Sequence, residues 1–486
     1  MLNKDMELLS FLFSLVYSKN MILAYIYITL SLFGVLLPVL FFYYRRKFHL
    51  QREKNANGHL KVGIFHPYCN AGGGGEKVLW VAVQSMQEKF PDAEFYVYTG
   101  DVEASKQEIL QNVNNNLNVK INNKIQFVYL KKRKWVEGAM YPYFTLLGQA
   151  IGSMFLGLEG LNQLVPDVCL DTTGFTFALV VFKILGRCQT GSYIHYPTIT
   201  TEMLKRVQSR KVIYNNRSFI TRSSFFTYIK VGYYHLFSWL YSLAGQCSDI
   251  TMVNSTFTLE HLNVLWQRPL HLVYPPCEVD HLKKLPRDNH RPENIRILSL
   301  AQFRPEKDHQ LQLQALYELR EIVPEELFSR ITLVLCGSCR NANDSERAKD
   351  LKDLSKHLSL ENNVEFKINI PYKELLEEFT KAYIGIHTMM CEHFGISVVE
   401  QMAAGLIMVA HRSGGPLLDI IETSESSRLG YLALTPQEFA HWIKYILDCT
   451  DEENNEIRER AKASVDRFSL GKFQTEFLRA VDPLFK

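Results

Sequence analysis

The chain has 486 residues, 47% hydrophobic and 22% charged, a balance that makes about three domains or two large ones and excludes a disordered chain. Its 54 Lys and Arg stand against 51 Asp and Glu, which excludes a chain-wide polybasic binder of nucleic acid but not a local basic patch. Nine cysteines lie scattered without framework spacing, the usage of a reducing compartment. Cys336 and Cys339 have redox-motif spacing but follow the strand-like run ITLVL and read as buried or incidental; no second CxxC and no HExxH offers zinc ligands.

Leu9–Tyr17 is apolar but too short to cross a bilayer. Met21–Tyr43 is 23 residues without a charge, about 34 Å as a helix and enough to cross a hydrocarbon core. It runs into FFYYRRK with no small-residue cleavage site, which predicts a retained N-terminal transmembrane helix and not a signal peptide. Lys4 and Lys19 precede it; Arg45, Arg46, Lys47, Arg52 and Lys54 follow it. The positive-inside rule then puts the C-terminal bulk in the cytosol, where the sequons at Asn216, Asn254 and Asn343 stay unmodified.

From Lys61 an apolar strand, Val62–Phe65, enters a glycine-rich turn and a helix with Val78, Leu79, Ala82 and Met86 on one side, the opening of a βαβ unit. Further strands are expected at 94–99, 125–130, 167–170, 191–196 and 249–254. The polar stretch from Cys277 to Asn294 reads as an interdomain connection. The pattern then restarts: IRILSLAQF, ITLVLCG, NVEFKI, AYIGIH and LIMVA are five strands, with helices around 309–321, 345–358, 372–380 and 395–404. Two doubly wound α/β domains would face each other across a cleft at their strand C-terminal edges, where ligands bind.

Candidate residues gather at those edges. Gly72–Gly75 let a ligand approach the backbone and precede a helix N-terminus, although a tight turn reads the same; GxGxxG and P-loop spacings are absent. Arg304 and Lys307 after SLAQF suit a diphosphate. Glu392 lies in a loop eight residues before the helical Glu400, so the two meet different parts of an elongated ligand. Backbone N–H groups around Phe394, Gly395 and Ile396 suit phosphate oxygens, Glu400 a ribose diol and Glu392 sugar hydroxyls. The segment 411–416, HRSGGP, is another glycine turn. His195 in SYIHYPT reads as a group against the transferred moiety or as a structural histidine; Asp171 in LDTTG as an active-site contact or a turn cap.

The spaced Glu392 and Glu400, the Arg304/Lys307 pair and the glycine loop resemble the retaining GT-B glycosyltransferases of family 4. FHPYCNAGGGGEKVLW, YPYFTLLGQAIGSMFLG, YIHYPTI, NSTFTLEHL, VYPPC, QFRPEKDH, EFKINIP and EHFGISVVEQMAAG are similar, more closely, to eukaryotic GDP-mannose-dependent α-1,2-mannosyltransferases of dolichol-linked oligosaccharide assembly. The resemblance implies a GT-B fold with an anchor and basic linker at 1–58, an acceptor and membrane-facing domain at 59–280, a linker at 281–294, a GDP-mannose domain at 295–465, and a C-terminal helix at 466–486 packing back on the first domain. It implies two successive retaining α-1,2 transfers from GDP-mannose to Man3GlcNAc2-diphosphodolichol at the cytosolic face of the endoplasmic reticulum. It puts Arg304, Lys307 and Glu400 on the donor, Glu392 at the mannosyl group, His195 near the reacting centre, and Gly74 and Gly75 near the diphosphate or acceptor. No metal is expected; other mannosyltransferases of the pathway are the implied protein partners, and nucleic acid is not one.

Two rival functions remain at this level: a UDP-sugar enzyme with another lipid acceptor, and a non-catalytic scaffold. Residues 138–161 and 223–244, apolar and aromatic, read as interfacial membrane helices or as buried core. The basic runs at 131–134 and at Lys205, Arg206, Arg210 and Lys211 suit lipid headgroups or the acceptor diphosphate.

Overall fold

All five residues of β1 (Lys61–Phe65) are buried, the pattern of a parallel strand covered on both faces. In the computed structural model, which describes residues 34–199 and 224–486, β1 is central to a sheet with β2 (Glu94–Thr99), β3 (Gln126–Tyr129), β4 (Val168–Asp171), β5 (Gln189–Ile194), β6 (Ile250–Val253) and β7 (His271–Leu272). The order is β3-β2-β1-β4-β5-β6-β7 and every pairing is parallel.

The second sheet repeats the design with β8 (Ile295–Leu300), β9 (Ile331–Gly337), β10 (Val364–Ile368), β11 (Ile384–His387), β12 (Ile407–His411) and β13 (Tyr431–Ala433) in the order β10-β9-β8-β11-β12-β13. It has six strands where five were expected: Tyr431–Ala433 is only three residues long. The helices Pro436–Asp448 and Asp451–Ser464 also had no counterpart in the sequence reading. In each sheet the winding reverses beside the first strand, between β1 and β4 and between β8 and β11. Loops leaving the strand C-termini at such a switch point open a crevice.

The chain crosses between the lobes twice, and the two crossings are tied. Cys277 N–H donates to the Phe468 carbonyl at 3.0 Å, and Cys277 bridges to Ser469. The helix Leu470–Val481 then returns to the first lobe and buries Phe473, Phe477, Ala480 and Val481 in the same core as Ile64, Val81 and Tyr193. Phe90 and Phe485 stack at 4.0 Å at its far end. All nine cysteines are free thiols.

The expected span Met21–Tyr43 lies mostly outside the described residues, as do Leu9–Tyr17, Asn216, Lys205, Arg206, Arg210 and Lys211. Its described end lies in a helix described over residues 34–54, on which Val35, Leu36, Leu37, Val39, Phe42 and Tyr43 are exposed. Among the described residues no helix is long and apolar enough to cross a membrane, so the transmembrane helix has no counterpart there. The two apolar stretches are helices buried on one side and exposed on the other, so the buried-core reading holds for one face of each. Thr145–Gln163 buries Ala150, Leu156 and Leu161 and exposes Ile151 and Phe155. Ser224–Gly245 buries Phe237 and Tyr241 and exposes Tyr228, Leu236 and Trp239.

Because the last helix completes the first core, Phe477→Ala is expected to destabilise the protein by roughly 3–5 kcal/mol, as for other buried Phe truncations. Urea unfolding checks this; a midpoint like that of the parent protein would show that the returning helix is dispensable.

Candidate active site

The first lobe supplies its groups from the ends of β1, β4 and β5. Asp171 closes β4 and accepts from Thr173 N–H (3.0 Å), Thr173 Oγ1 (2.8 Å) and Gly174 N–H (3.1 Å). It is fully buried, and burial pushes its carboxyl up to about 6 against those bonds. Of its two readings, the structure supports the turn cap. The turn presents Thr172, whose Oγ1 bonds His66 Nδ1 at 2.7 Å and whose carbonyl lies 3.0 Å from His195 Nε2. A carbonyl only accepts, so Nε2 carries the proton and Nδ1 is left as an acceptor. Burial lowers the His195 pKa to about 4, which keeps the imidazole neutral.

The glycine loop after β1 is held by its own helix. Gly73 N–H donates to Glu76 Oε2 at 2.7 Å, and Glu76 Oε1 lies 3.9 Å from His66 Nε2. Lys77 pairs with Glu278 at 2.9 Å, beside the interlobe crossing. A Cβ on Gly74 would sit 2.9 Å from Ile396 Cδ1, and one on Gly75 3.6 Å from His195 Nε2. The loop thus approaches the second lobe closely at Gly74, where a side chain would have to displace the end of Ile396.

In the second lobe Lys307, in the turn after β8, meets Glu392, in the loop after β11: Nζ to Oε2 is 2.5 Å. His387, the last residue of β11, reaches the same oxygen at 3.1 Å, and His393 N–H donates to Oε1 at 3.2 Å. Burial alone would raise the Glu392 carboxyl, but the His387 bond and the Lys307 charge outweigh it and hold the pKa far below the ordinary range. The turn 411–416 cradles this loop. Gly415 N–H donates to the Glu392 carbonyl at 2.8 Å and Ser413 Oγ accepts from Cys391 N–H at 2.7 Å. Gly414 has φ +59°, and a Cβ there would run into the Glu392 carbonyl oxygen.

Phe394 is buried against Tyr274 and Phe468, with ring centroids at 5.6 and 5.1 Å, so only its backbone faces the loop. Gly395, at φ +111°, starts the helix Ile396–Ala403; Val398 N–H already bonds the Gly395 carbonyl at 2.9 Å, which leaves the N–H groups of Ile396 and Ser397 at the helix start. Burial raises the Glu400 carboxyl, with Lys77 opposing and Glu278 adding to the shift. No side-chain hydrogen bond or ion pair reaches the Glu400 carboxyl group from the described residues. The Arg304 guanidinium stands apart, with Nη1 3.5 Å from Glu306, although its carbonyl accepts from Lys307 N–H at 3.2 Å.

The structure therefore joins Lys307 to Glu392, Gly74 to Ile396 and Gly75 to His195, and leaves Arg304 and Glu400 outside these contacts. Sequence reading missed His66, Thr172, Lys77 and His387. Only His387 carried a signal, as the last residue of an expected strand.

Residues 59–266 match the family described as ALG11 mannosyltransferase N-terminus, and residues 283–464 match Glycosyl transferases group 1. The chain is 46% identical over 446 residues to the GDP-Man:Man(3)GlcNAc(2)-PP-Dol alpha-1,2-mannosyltransferase of Homo sapiens, covering 91% of this chain and 90% of that one. This chain belongs to that mannosyltransferase family. The Mus musculus enzyme of the same name is 45% identical over 449 residues, 90% of this chain and 91% of its own. Among solved structures, Anabaena Alr3699/HepE in complex with UDP and glucose superposes with a TM-score of 0.59 at 16% identity, over 87% of this chain and 100% of that one. At that identity the likeness is one of fold, the GT-B pair of Rossmann-like domains.

In histidine-labelled protein, His195 is expected to remain the neutral Nε2–H tautomer through pH 7 to 5, with its midpoint near 4. Nitrogen chemical shifts report this directly. A midpoint between 6 and 7 would contradict the burial that lowers it, and an Nδ1–H tautomer would contradict the bond to Thr172.

Proposed function

We propose that this chain moves mannose from GDP-mannose to the C2 hydroxyl of Man3GlcNAc2-diphosphodolichol and then of the Man4 product, giving the Man5 form with retention at the anomeric carbon. The observation that carries this reading is high identity to enzymes of that name along nearly the whole chain. The cleft chemistry supports it independently. Lys307 has three donors and gives one to Glu392 and one to Met389 Sδ, so one remains for the diphosphate, together with Arg304 and the N–H groups of Ile396 and Ser397. Gly74 and Gly75 let that diphosphate or the acceptor approach the backbone. Glu392, ionised throughout the physiological range, accepts hydrogen bonds from the mannosyl hydroxyls, and His195 Nδ1 accepts another. Glu400 takes the ribose diol.

In the transfer, the acceptor oxygen bonds to mannose C1 as the C1–O bond to GDP breaks, and the hydroxyl proton passes to the departing phosphate oxygen on the same face. Charge on that phosphate is stabilised by fixed cations and dipoles of the cleft, so activity is expected to persist in excess EDTA. Loss of activity restored only by a divalent ion would assign that role to a metal.

The same proposal places the body on the cytosolic face of the endoplasmic reticulum, anchored by Met21–Tyr43. Exposed Ile151, Phe155, Trp239 and Leu236 add apolar surface to the first lobe, which suits an enzyme whose acceptor is a membrane lipid. Asn254 is buried while Asn343 is exposed, so Asn343 is the informative sequon among the described residues. It is expected to be unglycosylated in sealed microsomes, and a glycan there would reverse the topology.

Glu392→Gln keeps the size of the side chain and removes its charge. Losing roughly 3 kcal/mol of transition-state stabilisation would slow transfer by about two orders of magnitude, with GDP binding little changed. Lys307→Met is expected to weaken GDP and GDP-mannose alike. Calorimetry with GDP and saturating-donor kinetics separate the two effects; near-normal turnover of Glu392→Gln with unchanged GDP binding by Lys307→Met would remove both roles.

A further inference from the structure

Tyr196 lies one residue beyond His195, past the end of β5, and crosses to the second lobe. It stacks on His393, one residue beyond Glu392, with ring centroids 3.8 Å apart and planes 13° from parallel. Behind it stands Phe257, near-parallel at 6.5 Å, on the helix Thr256–Trp266. That helix is itself held to the second lobe by Asp419, which accepts from Thr256 N–H at 3.1 Å and from Tyr274 OH at 3.0 Å. Thr258 Oγ1 on the same helix donates to the His195 carbonyl at 3.3 Å. Burial keeps His393 neutral, with its pKa lowered to about 4, so the contact is ring on ring and carries no ionic component.

Each ring is fixed to a residue that faces the cleft. His393 is the peptide neighbour of Glu392 and gives its own N–H to Oε1; Tyr196 is the peptide neighbour of His195. A displacement of either ring moves His195 and Glu392 relative to each other. The Gly74–Ile396 approach limits the closeness of the lobes at the glycine loop, and the stack sets it at the other side of the reacting groups.

We propose that Tyr196 and His393 are a positioning pair: an aromatic strut between the lobes that sets the spacing of His195 and Glu392 around one mannosyl group and closes that side of the cleft to water. The proposal rests on the mannosyl-transfer reading above. A misplacement of about 1 Å in reacting groups costs on the order of 100-fold in rate, so the strut acts on turnover and leaves nucleotide affinity to Lys307, Glu400 and the helix N–H groups.

The test uses full-length protein in lipid nanodiscs, with GDP-mannose and the diphospholipid trisaccharide-chitobiose acceptor. Tyr196→Ala and His393→Ala are expected to lower kcat by about 10- to 100-fold while the Kd for GDP stays within about threefold. The double alanine variant should be no worse than either single one, because each removes the same contact. Tyr196→Phe and His393→Phe, which keep a ring, should retain most of the activity. The alanine variants should also hydrolyse more GDP-mannose per transfer: water oxygen bonds to C1, the C1–O bond to GDP breaks, and a proton goes to the phosphate.

Unchanged kcat, additive losses, a parallel fall in GDP binding, or phenylalanine variants as impaired as alanine ones would each overturn the strut. Should the alanine variants fail to fold, the two phenylalanine variants with His393→Asn carry the same comparison. A parent protein that transfers from another donor would overturn the mannosyl reading alone, and the strut is then measured with that donor.

Discussion

Glu392 is a carboxylate withdrawn from water, and an isolated buried charge is too costly to persist. It remains an anion because Lys307 and His387 converge on one oxygen and the His393 N–H on the other. These partners come from the ends of β8 and β11, neighbours only because the sheet winds outward in both directions from that pair. The glycine turn after β12 completes the cradle from the next strand. The doubly wound topology thus has a local electrostatic consequence: it brings three strand ends to one carboxylate.

The same constraint extends across the cleft. The first lobe answers with groups that are neutral at physiological pH, a His195 imidazole tethered to Thr172 and a glycine loop with no side chain to intervene. Fixed charge on one side and neutral acceptors on the other suit a ligand with an anionic end and a neutral sugar. The lobes cannot drift far apart, because both crossings run side by side at Cys277 and Phe468 and the final helix is part of the first core.

Much of this was legible in the residues. The apolar runs VGIF, EFYVYT and ITLVLCG are buried strands because both faces of a parallel sheet are covered, so continuous hydrophobicity marked them. His271–Leu272 and Tyr431–Ala433 were not legible, since two or three residues have no period to detect. The glycine loop, Lys307 and Glu392 stood out by type and by position after strands. Their pairing did not, because which cation meets which carboxylate is decided by strand order and not by spacing. Phe394 shows the limit from the other side: expected for its backbone, it also anchors the loop through a ring buried on Phe468, a contact 74 positions away in the chain.

Glu392 and Glu400 illustrate how one short segment yields two different groups. Both are partly buried, yet the first is held far below the ordinary carboxylate range and the second is raised above it. The difference lies in partners and not in burial: Glu392 has a cation and two hydrogen-bond donors, whereas Glu400 has only the field of Lys77, already engaged by Glu278. Environments that drive two like groups apart assign them different tasks. In the proposed function, a carboxylate already satisfied by the protein is rigid and keeps its charge for a developing positive sugar ring, whereas a carboxyl that lacks hydrogen bonds gains them from a ligand, and a ribose diol offers two donors. The eight-residue spacing places these two groups on opposite sides of the helix start at Gly395, where the Ile396 and Ser397 N–H groups suit a phosphate. On that proposal, sugar, diphosphate and ribose would follow one another along the segment in the order in which a nucleotide sugar is built.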